Sequence, residues 1–110
     1  MEATPSTRLE PRSRDLLLQT AASAIEAGLA LAETSSPNPL DLPPDLRLLR
    51  ASFVTLTIEG SLRGCCGSLE PRRALAVDVW LNAQASAFRD SRFAPLAALE
   101  WSEVDLEVSV

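Results

Sequence analysis

Residues 53–67 read FVTLTIEGSLRGCCG, and they predict the architecture more directly than any other part of the sequence. The first six residues are apolar or β-branched, which favours a strand, and Glu59-Gly60 supplies the turn that follows it. A second arm comes after the turn, so the segment predicts a β-hairpin. Gly64 and Gly67 lie inside this arm, where glycine indicates a bulge, a bend or the close approach of another backbone.

Helices are predicted on both sides of the hairpin. Apolar residues recur at spacings of three and four over residues 15–33, with Asp15 in the first turn, and again over residues 75–88. Gly28 is expected to fray the last turn of the first helix or to pack closely against another element. The residues expected on the buried face of that helix are Leu18, Ala21, Ala22, Ile25, Leu29 and Ala32. Residues 104–110 alternate between apolar and polar, as a half-buried strand does. We therefore expect an α+β fold, an antiparallel sheet with helices packed on it, in which the second helix covers the hairpin.

The remaining segments set the limits of the domain. Residues 1–14 contain two prolines and scattered charges, which predicts a flexible N-terminal tail and leaves residues 15–110 as one domain. Four prolines between residues 34 and 45 predict an extended connector. The chain stops within a strand at Val110 without a polar end, so we expect it to be the N-terminal portion of a domain whose C-terminal part is missing.

Composition excludes several classes of function. All 10 basic residues are Arg, 15 residues are acidic and the formal net charge is -5, so duplex nucleic acid is not expected as a partner. The absence of His removes the commonest metal ligand and the commonest general base near neutral pH, and no metal or cofactor is predicted. No apolar run reaches the about 20 residues that a membrane span needs. With no secretory signal pattern and with two adjacent cysteines, we expect a cytoplasmic protein.

Cys65 is the candidate catalytic residue. It lies between Gly64 and, after Cys66, Gly67, where backbone amides and missing side chains could leave a thiol approachable. Its reactivity would depend on a nearby cation. The alternative is that Cys65 is a small apolar residue that fills a strand. Alternation along the strand turns Cys65 and Cys66 to opposite faces, which argues against cooperation between the two thiols.

Arginines near the hairpin and after the second helix are candidates for binding an anion or a partner. Arg63 lies in the hairpin, and residues 89–93 place Arg89, Asp90 and Arg92 directly after a helix. Two Arg forks beside Arg63 would suit a carboxylate or a phosphate, so a small anionic ligand is expected. A helix stop, in which Asp90 bonds local backbone and Phe93 enters the core, explains the same residues equally well.

Four separated segments resemble the AMMECR family, and they occur in the family's order from about Asp15 to the last residue. They are residues 53–56 FVTL, 62–67 LRGCCG, 87–96 AFRDSRFAPL and 106–110 LEVSV. The resemblance implies an α+β fold and a longer domain, of which this chain is the N-terminal part. The family motif usually has Ile where this chain has Cys66, which makes a pair of adjacent thiols at its most characteristic position.

The resemblance also implies a partner context. Bacterial and archaeal members are called AmmeMemoRadiSam system protein A, after their occurrence beside a Memo-type protein and a radical S-adenosylmethionine (SAM) protein, and we expect those two proteins as partners and a bacterial source. It implies no established reaction, so whether the chain is an enzyme stays open, as does its oligomeric state. One function is a component of such a modification system, with Cys65 near the chemistry and the Leu-Arg-Gly-Cys motif as a functional surface. The other is a non-catalytic scaffold module that docks a protein on the same surface.

Overall fold

The computed structural model describes residues 9–110 as a three-stranded antiparallel sheet with two helices on one side. The elements in chain order are α1 (Pro11–Gly28), two short 3₁₀ turns (Pro39–Asp41 and Pro44–Leu46), β1 (Phe53–Ile58), β2 (Ser61–Gly67), α2 (Leu75–Phe88), a third 3₁₀ turn (Ala98–Glu103) and β3 (Val104–Ser109). The strand order is β2-β1-β3, so β1 is central and the other two strands form the edges. The predicted α+β architecture is confirmed.

The hairpin forms where the sequence predicts it. Glu59 and Gly60 have φ angles of 50° and 79°, and two consecutive positive φ angles match the twist of a two-residue hairpin turn. Within the hairpin Leu56 pairs with Gly64 and Thr57 pairs with Leu62. Arg63 is therefore an extra residue without a ladder partner, and β2 carries a bulge at this position.

The core lies between the sheet and the helices. Val54 and Leu56 of β1 are fully buried, as are Leu75 and Val79 of α2. Helix α2 packs on β1 and β2, and α1 packs on α2 and β3. The prediction that the second helix spans 75–88 and covers the hairpin is confirmed.

Helix α1 differs from its predicted limits. It begins at Pro11, not Asp15, because proline suits the first helical position and the Ser13 hydroxyl, 1% exposed, donates to Asp45 at 2.7 Å. The prediction of a flexible tail is thus wrong for residues 11–14, whereas residues 1–8 lie outside the described residues. The helix ends at Gly28 instead of near residue 33, with the ring of Phe88 packed where a side chain on Gly28 would lie.

The buried face of α1 is also rotated from the predicted one. Leu18 is 40% exposed, whereas its neighbour Leu17 is 1% exposed. The buried residues are Ser13, Leu17, Ala21, Ala24 and Ile25. Ala21 and Ile25 belong to the predicted face as well, whereas Leu17 and Ala24 are buried in place of the predicted Leu18 and Ala22.

The connector is more structured than predicted. Pro39 and Pro44 each begin a 3₁₀ turn, and the Asn38 side chain accepts a hydrogen bond from Leu40 N at 3.0 Å. Leu46 at the end of the second turn is fully buried. The expectation of an extended connector is wrong here because proline also favours the first position of a helical turn. Within residues 9–110, no helix has the length and apolar character needed to cross a bilayer.

Candidate functional site

A cluster of charged residues lies along the outer edge of β2. We define the β2 edge site by six residues that strand β2, the loop after α2 and the third 3₁₀ turn contribute: Arg63, Cys65, Asp90, Arg92, Phe93 and Glu100. The bulge in β2 sets the direction of Arg63, since it removes this residue from the ladder. The loop after α2 brings an acid, a cation and an aromatic ring to the same edge.

Asp90 ties this loop to the strand. Its carboxylate accepts the Cys65 backbone N–H at 3.0 Å and the Arg92 backbone N–H at 3.1 Å. The Arg92 guanidinium adds two bonds, at 3.0 and 2.7 Å, and the Asp90 side chain is only 7% exposed. The hydrogen bonds from the Arg92 side chain, then those from the two backbone N–H groups, hold the pKa of Asp90 well below its usual range.

Arg63 and Glu100 form a second, two-pronged ion pair. Arg63 Nε and Nη2 each donate to a Glu100 carboxylate oxygen at 2.9 Å, and the Arg63 side chain is 14% exposed. Glu100 also accepts the Ala97 backbone N–H at 2.9 Å. Hydrogen bonds from Arg63 and then from Ala97 lower the pKa of Glu100 to about 2, while the hydrogen bonds to Glu100 raise the pKa of Arg63.

Phe93 joins the two ion pairs. The guanidinium carbons of Arg63 and Arg92 lie 5.9 and 5.5 Å from the centroid of its ring, within the range of cation–π attraction. Both arginines are thereby fixed in orientation as well as charge-paired. The site is a preformed surface rather than a set of free cations.

Cys65 is half-buried and faces the side of the sheet away from the helices. It pairs with Thr55, and its Sγ lies 3.3 Å from Thr55 Oγ1. Cys66 pairs with Val54, whose side chain faces the core, so the two thiols point to opposite faces, as the alternation predicts. The pKa of Arg92 is raised, chiefly by its hydrogen bonds to Asp90.

The other predicted site residues lie elsewhere. A side chain on Gly64 would overlap the backbone carbonyl of Ser86, so this glycine allows α2 to approach the sheet. Gly67 lies against the ring of Phe53. Arg89 is exposed, and its side chain makes no hydrogen bond or ion pair within residues 9–110. The structure therefore brings together Arg63, Cys65, Asp90 and Arg92, and leaves Gly64, Gly67 and Arg89 outside the cluster.

Sequence reasoning missed a buried polar network around Asp78. This side chain is 1% exposed, and its carboxylate accepts the Ser52 backbone N–H at 2.9 Å and the Ser52 hydroxyl at 2.6 Å. The remaining donors are Ser68, Arg73 and Asn82, at 2.7 to 3.1 Å. Burial raises the pKa of Asp78, but the hydrogen bonds and the charge of Arg73 outweigh it, so the pKa lies below its usual value. The sequence contained one sign of this network, because Asp78 and Asn82 are polar residues four positions apart on an otherwise apolar helix face.

The arrangement limits the chemistry that the β2 edge site can perform. Each arginine fork already holds a carboxylate of the same chain, and both acids have a lowered pKa, which disfavours them as bases near neutral pH. Among residues 9–110, no three His, Cys, Asp or Glu side chains converge in a way that could hold a metal ion. The Cys65 thiol is the one nucleophile in the cluster.

Fold and site together define a class: a small α+β domain with helices on one side of a three-stranded sheet and a charge-paired site at one edge. The AMMECR1 family pattern matches residues 18–110. A protein of Methanothermobacter thermautotrophicus is 40% identical over 111 residues, which cover 100% of this chain and 55% of that protein. The crystal structure of the uncharacterized protein PH0010 of Pyrococcus horikoshii matches with a TM-score of 0.83 and 32% identity, over 93% of this chain and 52% of that one.

The chain belongs to the AMMECR1 family, and it spans about half the length of these two relatives. A protein of Thermotoga maritima is 39% identical over 72 residues, which cover 63% of this chain and 41% of that protein. Most of the relatives are archaeal, so a bacterial source for this chain stays a prediction.

Proposed function

We propose that this chain is the AMMECR component of an AmmeMemoRadiSam system, in the cytoplasm, and that it acts there by binding a protein partner. The partner is the Memo-type protein or the radical SAM protein. The binding surface is the β2 edge site together with Leu62, which is 42% exposed beside the bulge. The family carries the expectation of these partners, and the geometry of the site favours binding over catalysis.

One observation supports binding of a protein partner over catalysis. Both arginine forks are occupied by carboxylates of the chain itself, at 2.7 to 3.0 Å on an ordered loop and turn, so neither fork is open to a small anionic substrate. Paired charges held on an aromatic ring give a surface of fixed shape, and fixed shape lowers the ordering cost of docking a protein. Leu62 adds an apolar side chain next to this polar rim.

A direct binding measurement tests the proposal. The full chain is titrated with the purified Memo-type and radical SAM proteins of the same genome, and calorimetry measures each Kd. Leu62→Glu is expected to weaken binding at least about tenfold. The matched control is Leu40→Glu, because Leu40 is 75% exposed in a 3₁₀ turn, and its Kd is expected to change less than about twofold. The proposal fails if neither protein binds the wild-type chain, or if both variants weaken binding equally.

A catalytic thiol at Cys65 is the second candidate. Its Sγ lies 3.3 Å from the Thr55 hydroxyl. Its backbone N–H donates to Asp90, whose carboxylate also binds the Arg92 guanidinium, and a cation at the same edge is one way to activate a thiol. In this hypothesis Arg63 and Arg89 bind an anionic group of the substrate. Cys65→Ser separates the two candidates, because the binding hypothesis expects unchanged partner affinity and an unchanged yield of the system's product. Unchanged affinity with complete loss of product would establish the catalytic role instead.

A thiol assay also distinguishes the binding function from the catalytic one, and it does not require the product of the system to be known. The rate at which iodoacetate alkylates native Cys65 is compared with that of a model thiol across pH. The binding hypothesis expects a rate no faster than the model thiol, since Cys65 then serves only to pack beside Thr55. Faster reaction in the folded chain, lost in Arg92→Gln, would favour the catalytic candidate.

A further inference from the structure

One arginine beside the β2 edge site differs from the two within it. Arg63 and Arg92 each hold a carboxylate of the chain, whereas the exposed side chain of Arg89 makes no hydrogen bond or ion pair with any of residues 9–110. It follows directly on α2 and precedes Asp90, at the edge of the sheet opposite β3. Of these three guanidiniums, only that of Arg89 keeps all its donors available within the described part of the chain.

The backbone around Arg89 is held on both sides. Phe88 before it packs its ring against Gly28 of α1, and Asp90 after it accepts a backbone N–H of β2 at 3.0 Å. The Arg89 backbone N–H donates to the carbonyl oxygen of Ala85 at 2.8 Å and closes the last turn of α2. With its neighbours anchored, only the side chain of Arg89 has to be ordered on binding, which limits the entropic cost of a contact that it makes.

The charges at this edge do not cancel. The β2 edge site and Arg89 together carry two acids and three arginines, which are Asp90, Glu100, Arg63, Arg89 and Arg92. Both acids are already held by guanidiniums at 2.7 to 3.0 Å. One positive charge is thus left over, in a chain whose formal net charge is -5. Because opposite charges across an interface steer association and fix its register, this excess favours a partner with one negative charge at the matching position.

The size of the excess favours a carboxylate over a phosphate. A side-chain carboxylate carries one negative charge and accepts two parallel hydrogen bonds from a guanidinium. A phosphorylated side chain carries a charge of about -1.5 to -2 near neutral pH. Arg89 alone does not balance such a charge, since Asp90 and Glu100 occupy the other two arginines.

We propose that Arg89 binds the side-chain carboxylate of an Asp or Glu on the partner protein. The contact belongs to the surface for which docking is proposed above, so it rests on that proposed function. The partner presents an acid opposite Arg89 and an apolar residue opposite Leu62. Because both ion pairs of the β2 edge site are satisfied within the chain, the acid opposite Arg89 is the charged group that distinguishes the correct partner from others.

The composition of the full chain permits a direct test by cross-linking. All 10 basic side chains are Arg, so Arg89→Lys introduces the only side-chain amine. A water-soluble carbodiimide joins an amine to a carboxylate in contact with it, without a spacer. The variant is mixed with the Memo-type or the radical SAM protein of the same genome, and mass spectrometry locates the cross-link. We expect position 89 to be joined to an Asp or Glu of the partner, whereas Arg12→Lys, at an exposed position of α1, is expected to give no such product.

Charge reversal measures how much the contact contributes to binding. Arg89→Glu is expected to weaken binding of the partner at least about tenfold, mainly through slower association, because a charge at the rim acts chiefly on the encounter. Arg12→Glu makes the same change in net charge on the helix that packs on β3, and its Kd is expected to change less than about threefold. Replacing the cross-linked acid of the partner by Arg is expected to restore most of the affinity of Arg89→Glu.

These measurements separate a failure of the Arg89 contact from a failure of the docking function. Suppose that the wild-type chain binds a partner and Leu62→Glu weakens this binding, but Arg89→Glu binds as tightly as Arg12→Glu. Docking then stands and the role of Arg89 is wrong. The absence of any cross-link from Arg89→Lys to a partner carboxylate in a bound complex overturns it equally. If neither protein binds the wild-type chain, the docking function fails, and the Arg89 contact fails with it.

Discussion

Replacing Asp78 by Ala should destabilise the fold more than any other single loss of a charged group. Asp78 is 1% exposed and accepts hydrogen bonds from both the backbone N–H and the hydroxyl of Ser52. Its removal leaves that N–H buried without an acceptor, which costs about 1–3 kcal/mol. Arg73 also loses its carboxylate, and breaking a buried charge pair costs about 3–5 kcal/mol. Because Arg73 is 41% exposed and can turn toward water, we expect a total near the lower limit, about 3 kcal/mol.

Urea unfolding followed by circular dichroism measures this loss. With a slope of about 1.5 kcal/mol per molar urea, the unfolding midpoint of Asp78→Ala should fall by about 2 M. Asp15→Ala is the matched control, because Asp15 is an exposed acid on α1, and its stability should change by less than about 0.5 kcal/mol. A loss below about 1 kcal/mol for Asp78→Ala would refute the reasoning, since the network would then contribute no more than a surface ion pair.

Three further changes probe other parts of the structure. Gly64→Ala should lower the free energy of unfolding by about 1–3 kcal/mol, because its Cβ would overlap the carbonyl of Ser86; unchanged thermal unfolding would contradict this contact. Glu59→Asn should raise stability by about 0.5 kcal/mol, since Asn tolerates the φ of 50° better, and a lower melting temperature would count against the turn geometry. Glu100 has its pKa lowered from 4.5 to about 2 in the folded chain, so its pair with Arg63 stabilises the fold above pH 4.5 and is lost as the pH falls toward 2. When the free energy of unfolding is measured between pH 4.5 and 2, Glu100→Gln should therefore lose less stability than the wild-type chain. Equal losses in the two proteins would show that protonation of Glu100 does not affect stability.

The hairpin and the second helix could be predicted from sequence because their signals are local. Glu59-Gly60 is a turn signal within a run of strand-forming residues, and the apolar periodicity of α2 has no competing pattern. The first helix was harder to place. Its buried face includes Ser13, whose hydroxyl donates to Asp45 of the connector, and Ala24, whose carbonyl accepts from Gln84 of α2. Hydrophobic periodicity carries no information about such contacts between distant segments.

The sequence by itself determined the family, the hairpin with its bulged glycine-containing arm, and the four residues of the predicted site that do cluster. Only the tertiary structure decided what those residues face. Glu100 lies 37 positions from Arg63, and Asp90 lies 25 positions from the Cys65 N–H that it accepts, so no local spacing could reveal these two contacts, although Asp90 and Arg92 are only two residues apart. The place of β3 beside β1 likewise depends on how the chain returns to the sheet after α2. Pairings over such separations arise from the path of the loops and the packing of the whole domain, and neither leaves a periodic pattern in the sequence.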